Sequence, residues 1–129
     1  MDYDVVVIGA GASGLTSAMY ASRSGLRTAV IERGIYGGQM MNTGDIENYS
    51  GFGKTTGAEL SQHMYDQAIQ QGVEYVYGEV EGITREQDLG RKFFAVLLEG
   101  RAQPIFAKSV IIATGVEHKH LGVDGEKEL

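Results

Sequence analysis

The chain has 129 residues, a size suited to one domain, and with 43% hydrophobic residues it can assemble a core. A net charge of -6 and a pI near 5.0 argue against nucleic acid or an anionic membrane surface as partner, since both favour a basic face. With Cys 0 the chain carries no disulfide, thiolate metal site or redox dithiol, so any thiol chemistry comes from elsewhere. The N-terminus has no basic n-region and its apolar run is soon cut by glycines; neither a signal peptide nor a membrane span is read, and the expected compartment is the cytoplasm.

Residues 4–8 form a β-branched apolar run, the pattern of a strand buried on both faces of a parallel sheet. The run breaks into Gly9-Ala10-Gly11-Ala12-Ser13-Gly14, a G-x-G-x-x-G turn. From Ala12 to about Ser24, Gly14, Ala18 and Ala21 share one helical stripe that lets a helix approach the sheet closely, and Gly25 ends it. Residues 28–31 read as the second strand, with Glu32 at its end, which completes a βαβ unit. Residues 33–50 are rich in glycine (Gly34, Gly37, Gly38, Gly44) and lack a clear period; long connections of this kind inside a compact domain are usually functional.

Thr56-Gly57-Ala58-Glu59 has capping-box form, and Leu60, Met64 and Ala68 follow at helical spacing until Gly72. Residues 73–77 read as a strand, and residues 79–84, 93–98 and 105–107 as a meander in which Glu99-Gly100-Arg101 turns one hairpin. Pro104 favours an edge strand there. Residues 110–113 are again a continuous apolar run, stopped by Thr114-Gly115, so the chain returns to the buried parallel sheet.

A pyrophosphate needs backbone N–H groups and positive potential with no side chain in the way. Gly9 and Gly11 at a helix N-terminus are read as supplying these, with Gly14 allowing the helix to pack closely. No Asp or Glu occurs between Val5 and Ile31, so an incoming anion meets no repulsion. Glu32 can accept hydrogen bonds from both hydroxyls of an adenosine ribose and would repel a 2'-phosphate, which suits FAD or NAD rather than NADP. The bland alternative is a tight turn with a solvated carboxylate; strand, glycines, helix and acid together weigh against it.

Gln39, Asn42 and Asn48 offer donors and acceptors that match a flavin edge, and serve equally well as loop amides bonding their own turns. His118 and His120 lack a nearby third ligand and are read as solvent-exposed rather than metal-binding; no metal site is expected. His63 is assigned to the surface or boundary of its helix. Ser13 has no base beside it, so capping and ligand contact are its expected roles. Tyr75 and Tyr77, two apart on a strand, are read as core packing.

Gly9-Ala10-Gly11-Ala12-Ser13-Gly14, Gly37-Gly38-Gln39-Met40, Asp45-Ile46-Glu47-Asn48-Tyr49 and Ala113-Thr114-Gly115, in this order and with compatible spacing, resemble the low-molecular-weight bacterial thioredoxin reductases over nearly the whole chain. Ala12-Ser13 stands where Pro-Ala is common in that family, and Ser50 where Pro is common; neither change removes a glycine or a ligand-type residue. The resemblance implies an α/β, Rossmann-like FAD/NAD(P)-binding fold (a ββα three-layer sandwich), here incomplete, with a parallel sheet, helices and a β-meander. It implies FAD as cofactor. Gly9, Gly11, Ala12, Ser13 and Gly14 would hold the pyrophosphate, and Glu32, with Arg33 beside it, the adenosine ribose. Gly38, Gln39 and Asn48 would lie on the flavin side, Val80 at the adenine, and Ala113, Thr114 and Gly115 where the chain approaches FAD a second time.

Members of that family continue into an NADPH-binding domain with its own glycine fingerprint and a C-x-x-C, then return to complete the FAD domain. Residues 1–129 are accordingly expected to be a single FAD-binding domain fragment, the N-terminal segment of a two-domain reductase. In the parent enzyme, as the resemblance implies, NADPH reduces FAD, the flavin passes two electrons to the C-x-x-C disulfide, and that dithiol reduces thioredoxin. No catalytic residue is assigned within the fragment, which is expected to be inactive alone, to bind FAD weakly and to pair as a homodimer or otherwise self-associate. A ferredoxin-NADP or peroxiredoxin reductase segment, and a non-catalytic NAD- or nucleotide-binding module, are the competing readings.

Overall fold

The computed structural model describes residues 1–34, 45–46 and 55–114. The chain starts with β1 (Tyr3–Ile8), α1 (Ala12–Arg23) and β2 (Thr28–Glu32), the predicted strand, helix and strand. Two short antiparallel strands follow, β3 (Asp45–Ile46) and β4 (Thr55–Thr56), the first of them inside the stretch read as structureless. Next come α2 (Gly57–Gln70), β5 (Glu74–Tyr77), β6 (Val80–Asp88), β7 (Arg91–Leu98) and β8 (Ile105–Ile112). The N-cap half of the predicted capping box is present at α2: the Thr56 hydroxyl accepts from the Glu59 N–H at 3.1 Å.

Six strands form one sheet in the order β5-β2-β1-β8-β7-β6. β1 runs parallel to β2 and β8, and β2 parallel to β5, while β6, β7 and the start of β8 pair antiparallel. β1 and β2 read as unbroken apolar runs because both of their faces are covered. Val5, Val7 and Val30 pack against Leu15, Ala18, Leu60, Met64 and Ala68 of the helices. Val6, Ile8, Ala29 and Ile31, on the opposite face, pack against Ile83, Val96, Leu98, Ile105 and Ala107 of the meander. Helices, parallel strands and meander therefore make three layers, each fully buried Val, Leu or Ile contributing about 1.5–3 kcal/mol.

Several expectations need correction. Residues 105–107 and 110–113, read as separate strands, fall on one strand, β8, with Ala113 just past its end; β8 pairs with β7 at its start and with β1 over most of its length. The polar break between them is only apparent: Ser109 Oγ donates to Asp4 O at 2.9 Å and Lys108 Nζ lies 3.1 Å from Asp4 Oδ1. β8 is interior to the sheet, so Pro104 precedes a central strand rather than sitting on an edge one. Ile111 and Ile112 are not buried but 39% and 42% exposed, because β7 pairs only with residues 105–107. Tyr75 meets Tyr65 edge-on at 5.5 Å, whereas Tyr77, at the end of β5, is exposed.

The candidate cofactor site

The C-terminal ends of parallel strands are where open α/β sheets place their ligands. Two hydrogen bonds gather the turns there: Gly9 N donates to Ile31 O and Ala113 N to Ile8 O, both at 2.8 Å. The turn after β1, the end of β2 and the residues after β8 thus converge on one edge.

The three glycines of the turn have different tasks. Gly9 has φ of 105°, and a Cβ on it would lie 2.1 Å from Ala113 O. A Cβ on Gly14 would lie 1.9 Å from Gly9 O, so this glycine lets α1 seat directly on the turn. Gly11 is the opposite case: a Cβ there would meet nothing within 4 Å. It faces open space at the N-cap of α1, a helix with no side-chain cap and no acid in its first turn. The first N–H groups of a helix lack intrahelical partners and carry partial positive charge, and here nothing acidic of the helix competes for them. An acid-free helix start open over a glycine has the chemistry of an anion-binding cradle.

Two expectations are refined. The Gly9 N–H is committed to Ile31, so Gly9 supplies the turn and not a phosphate donor. Ser13 is exposed and does not cap α1.

Glu32 is held from both sides. Its Oε1 accepts from Ala10 N at 2.8 Å and its Oε2 from Gly34 N at 2.7 Å. A carboxylate oxygen has two lone pairs, so each retains acceptor capacity for a hydroxyl donor, as a ribose diol requires. Gly78 N donates to Glu32 O at 3.0 Å, which brings the start of β6 beside the end of β2. Arg33 Nη1 then lies 3.6 Å from Glu79 Oε1, and Val80 is half-buried next in the chain. Ala113 and Thr114 are half-buried against the glycine turn.

The structure therefore brings together Gly9, Gly11, Ala12, Ser13, Gly14, Glu32, Ala113 and Thr114, with Arg33 and Val80 at the far end of Glu32. Gly38, Gln39, Asn48 and Gly115, like Asn42, His118 and His120, lie outside the described residues. Sequence reasoning missed Ala10, Gly34 and Glu79. Ala10 and Gly34 act through backbone N–H groups, which no residue type advertises; Glu79 reaches the site only through the β2–β5 register that sets Glu32 opposite Tyr77. His63 is exposed on α2. Among the described residues no group of three or more His, Cys, Asp or Glu could hold a metal, and no helix is long and apolar enough to cross a membrane.

Comparison with known proteins shows which family the chain is similar to. Residues 3–129 match the family model described as pyridine nucleotide-disulphide oxidoreductase. A thioredoxin reductase of Bacillus subtilis (strain 168) is 48% identical over 127 residues, covering 98% of this chain and 38% of the relative. A thioredoxin reductase of Treponema pallidum (strain Nichols) is 40% identical over 128 residues, covering 98% of this chain and 40% of the relative. Among solved structures, thioredoxin reductase from Streptococcus pyogenes superposes with a TM-score of 0.79 at 46% identity, over 97% of this chain and 39% of that one. The Lactococcus lactis enzyme gives 0.78 at 45%, over 98% and 40%. The chain spans about two-fifths of the length of these relatives.

Proposed function

Because the chain belongs to the pyridine nucleotide-disulphide oxidoreductase family, we propose that it is the N-terminal, FAD-binding part of a thioredoxin reductase, residues 1–129 acting as one domain of a larger reductase. The observation that carries the reading is one edge of the sheet with two complementary halves: an acid-free helix start opening over Gly11, and a Glu32 carboxylate fixed by Ala10 and Gly34. The names of the matched relatives favour thioredoxin over a ferredoxin-linked or peroxiredoxin-linked acceptor.

FAD, when bound, would relay two electrons between a nicotinamide and a disulfide. The chain's own residues bind and orient. The N–H groups at Gly11, Ala12 and Ser13 would neutralise the pyrophosphate, with Gly9 and Gly14 shaping the turn so that no side chain intrudes. Glu32 would accept from the ribose hydroxyls, and Arg33 and Val80 would bound the adenine. Gly38, Gln39 and Asn48 would lie on the flavin side, with Ala113, Thr114 and Gly115 at the second approach. With Cys 0 in this sequence, the dithiol of the proposed parent enzyme would come from another part of it, and in the same proposal so would the NADPH site. Thioredoxin as acceptor, a homodimer and a cytoplasmic setting are part of the same proposal.

The visible absorption of the purified protein, titrated with FAD, tests it. A saturable flavin spectrum is expected, abolished by Glu32→Ala, with no reduction of thioredoxin by NADPH from the 129-residue chain alone. A protein that releases a colourless nicotinamide nucleotide on denaturation, and takes up no flavin, would overturn it.

A further inference from the structure

At the start of β1, the end of that strand remote from the glycine turn, lies a cleft of about 530 Å³ lined in part by the loop that joins β7 to β8. Its volume is that of a small-molecule site, for which about 300–1,000 Å³ is usual. Val76, Pro104 and Ile105 give it apolar walls, Gln103 an amide, and Arg27 and Arg101 two guanidiniums. The acids at this end of the sheet are already engaged. Asp2 Oδ2 accepts from Phe106 N at 2.9 Å, and Glu74 accepts from the Tyr3 hydroxyl. Asp4 Oδ2 accepts from Arg27 N at 2.8 Å, and its Oδ1 lies 3.1 Å from Lys108 Nζ. The two guanidiniums are not engaged in this way. Among the described residues Arg27 and Arg101 are in no ion pair, although Arg27 is near enough to Tyr3 and Asp4 to favour their ionised forms. Asp2 is the one acid among the residues given as lining the cleft, so two guanidiniums stand against one carboxylate, in a chain whose net charge is -6.

A guanidinium is a planar fork of donors shaped to phosphate oxygens, and two of them match a dianion better than the single charge of a carboxylate. Apolar walls beside them gain from covering a hydrocarbon or aromatic body. We propose that this cleft is a second ligand site, which binds a small organic phosphate with its head at Arg27 and Arg101 and its body against Val76, Pro104 and Ile105. The site is separate from the cofactor cradle and does not depend on how that cradle is read.

Backbone amide NMR of the protein titrated with phenyl phosphate tests the site, with phenol and inorganic phosphate as the two halves of the probe. Saturable shifts are expected at Tyr3, Arg27, Arg101, Ala102 and Gln103, and not at Gly11, Ala12 and Ser13, where the cofactor cradle would take a phosphate. Phenyl phosphate should bind at least about fivefold more tightly than either half, because head and body contribute together. Arg27→Gln and Arg101→Gln should each weaken it by about fivefold or more, the strength of a charge-assisted contact discounted for solvent. Arg85→Gln, the same charge change on β6, should leave the affinity as it is. Should Arg27→Gln disturb the spectrum beyond the cleft, Arg101→Gln, at an exposed loop position, carries the test. Shifts confined to the glycine turn, equal affinity for either half of the probe, or an affinity that Arg101→Gln leaves intact would each overturn the proposal.

Discussion

Gly11 and Gly14 belong to one motif but meet opposite surroundings, and single alanine substitutions should separate binding from folding. At Gly14 the new methyl would collide with Gly9 O, a backbone atom that cannot rotate away, so the helix must lift off the turn. We expect Gly14→Ala to lose stability by about 1–3 kcal/mol or more, as overpacking does, and FAD binding with it. At Gly11 the methyl enters open space and φ is -74°, a value any residue adopts. Gly11→Ala should leave the urea midpoint within about 1 kcal/mol of the unaltered protein and still weaken FAD, because the methyl occupies the phosphate's room. Equal destabilisation of both variants would show that the space over Gly11 is not a ligand cradle. The glycine turn and Glu32 were legible in the sequence because residue type alone marks them; the donors that hold Glu32 are main-chain groups of Ala10 and Gly34 and leave no such mark.

At the scale of elements, the start of β1 is where the sheet is fastened. Asp2 Oδ2 accepts from Phe106 N at 2.9 Å, Asp4 Oδ2 from Arg27 N at 2.8 Å, and the Tyr3 hydroxyl donates to Glu74 of β5. The Arg27 N–H, then Lys108, hold the Asp4 carboxyl below its usual range. Burial, then the bond to Glu74, pushes the Tyr3 hydroxyl from 10.0 up to about 12. The folded protein therefore keeps the Tyr3 proton more tightly than the unfolded chain does. That contribution is fully present below pH 10.0 and is lost as pH rises towards about 12. Asp4 works at the other end of the scale: its contribution is present above the ordinary carboxylate range and lost as pH falls through its lowered value. Denaturant midpoints measured against pH should fall through the alkaline window more steeply for the unaltered protein than for Tyr3→Phe, the two curves converging near its end. Parallel curves would show that Tyr3 titrates alike in both states. These same contacts explain why β8 was read as two strands: Lys108 and Ser109 look like a polar linker until their partner, Asp4, is placed beside them.

For the whole molecule, the three-layer plan was legible because β1 and β2 are apolar on both faces, which demands cover on both. Where that cover ends was not legible, since it depends on where β7 leaves β8. Among the described residues, no strand pairs with residues 108–112 on the side opposite β1. Ile111, in register with Val7, and Ile112, in register with Ile8, face opposite sides of this edge, and both are substantially exposed. An open, apolar strand edge presents unpaired N–H and C=O groups together with surface that gains from leaving water, a combination that templates pairing with a further strand. We expect the 129-residue protein to self-associate, its light-scattering mass rising with concentration. Ile111→Lys should suppress the rise by placing a charge on the edge, without disturbing the buried pairing of β1 with β2. A mass that stays monomeric at high concentration, or a rise that Ile111→Lys leaves intact, would show that this edge is not what associates.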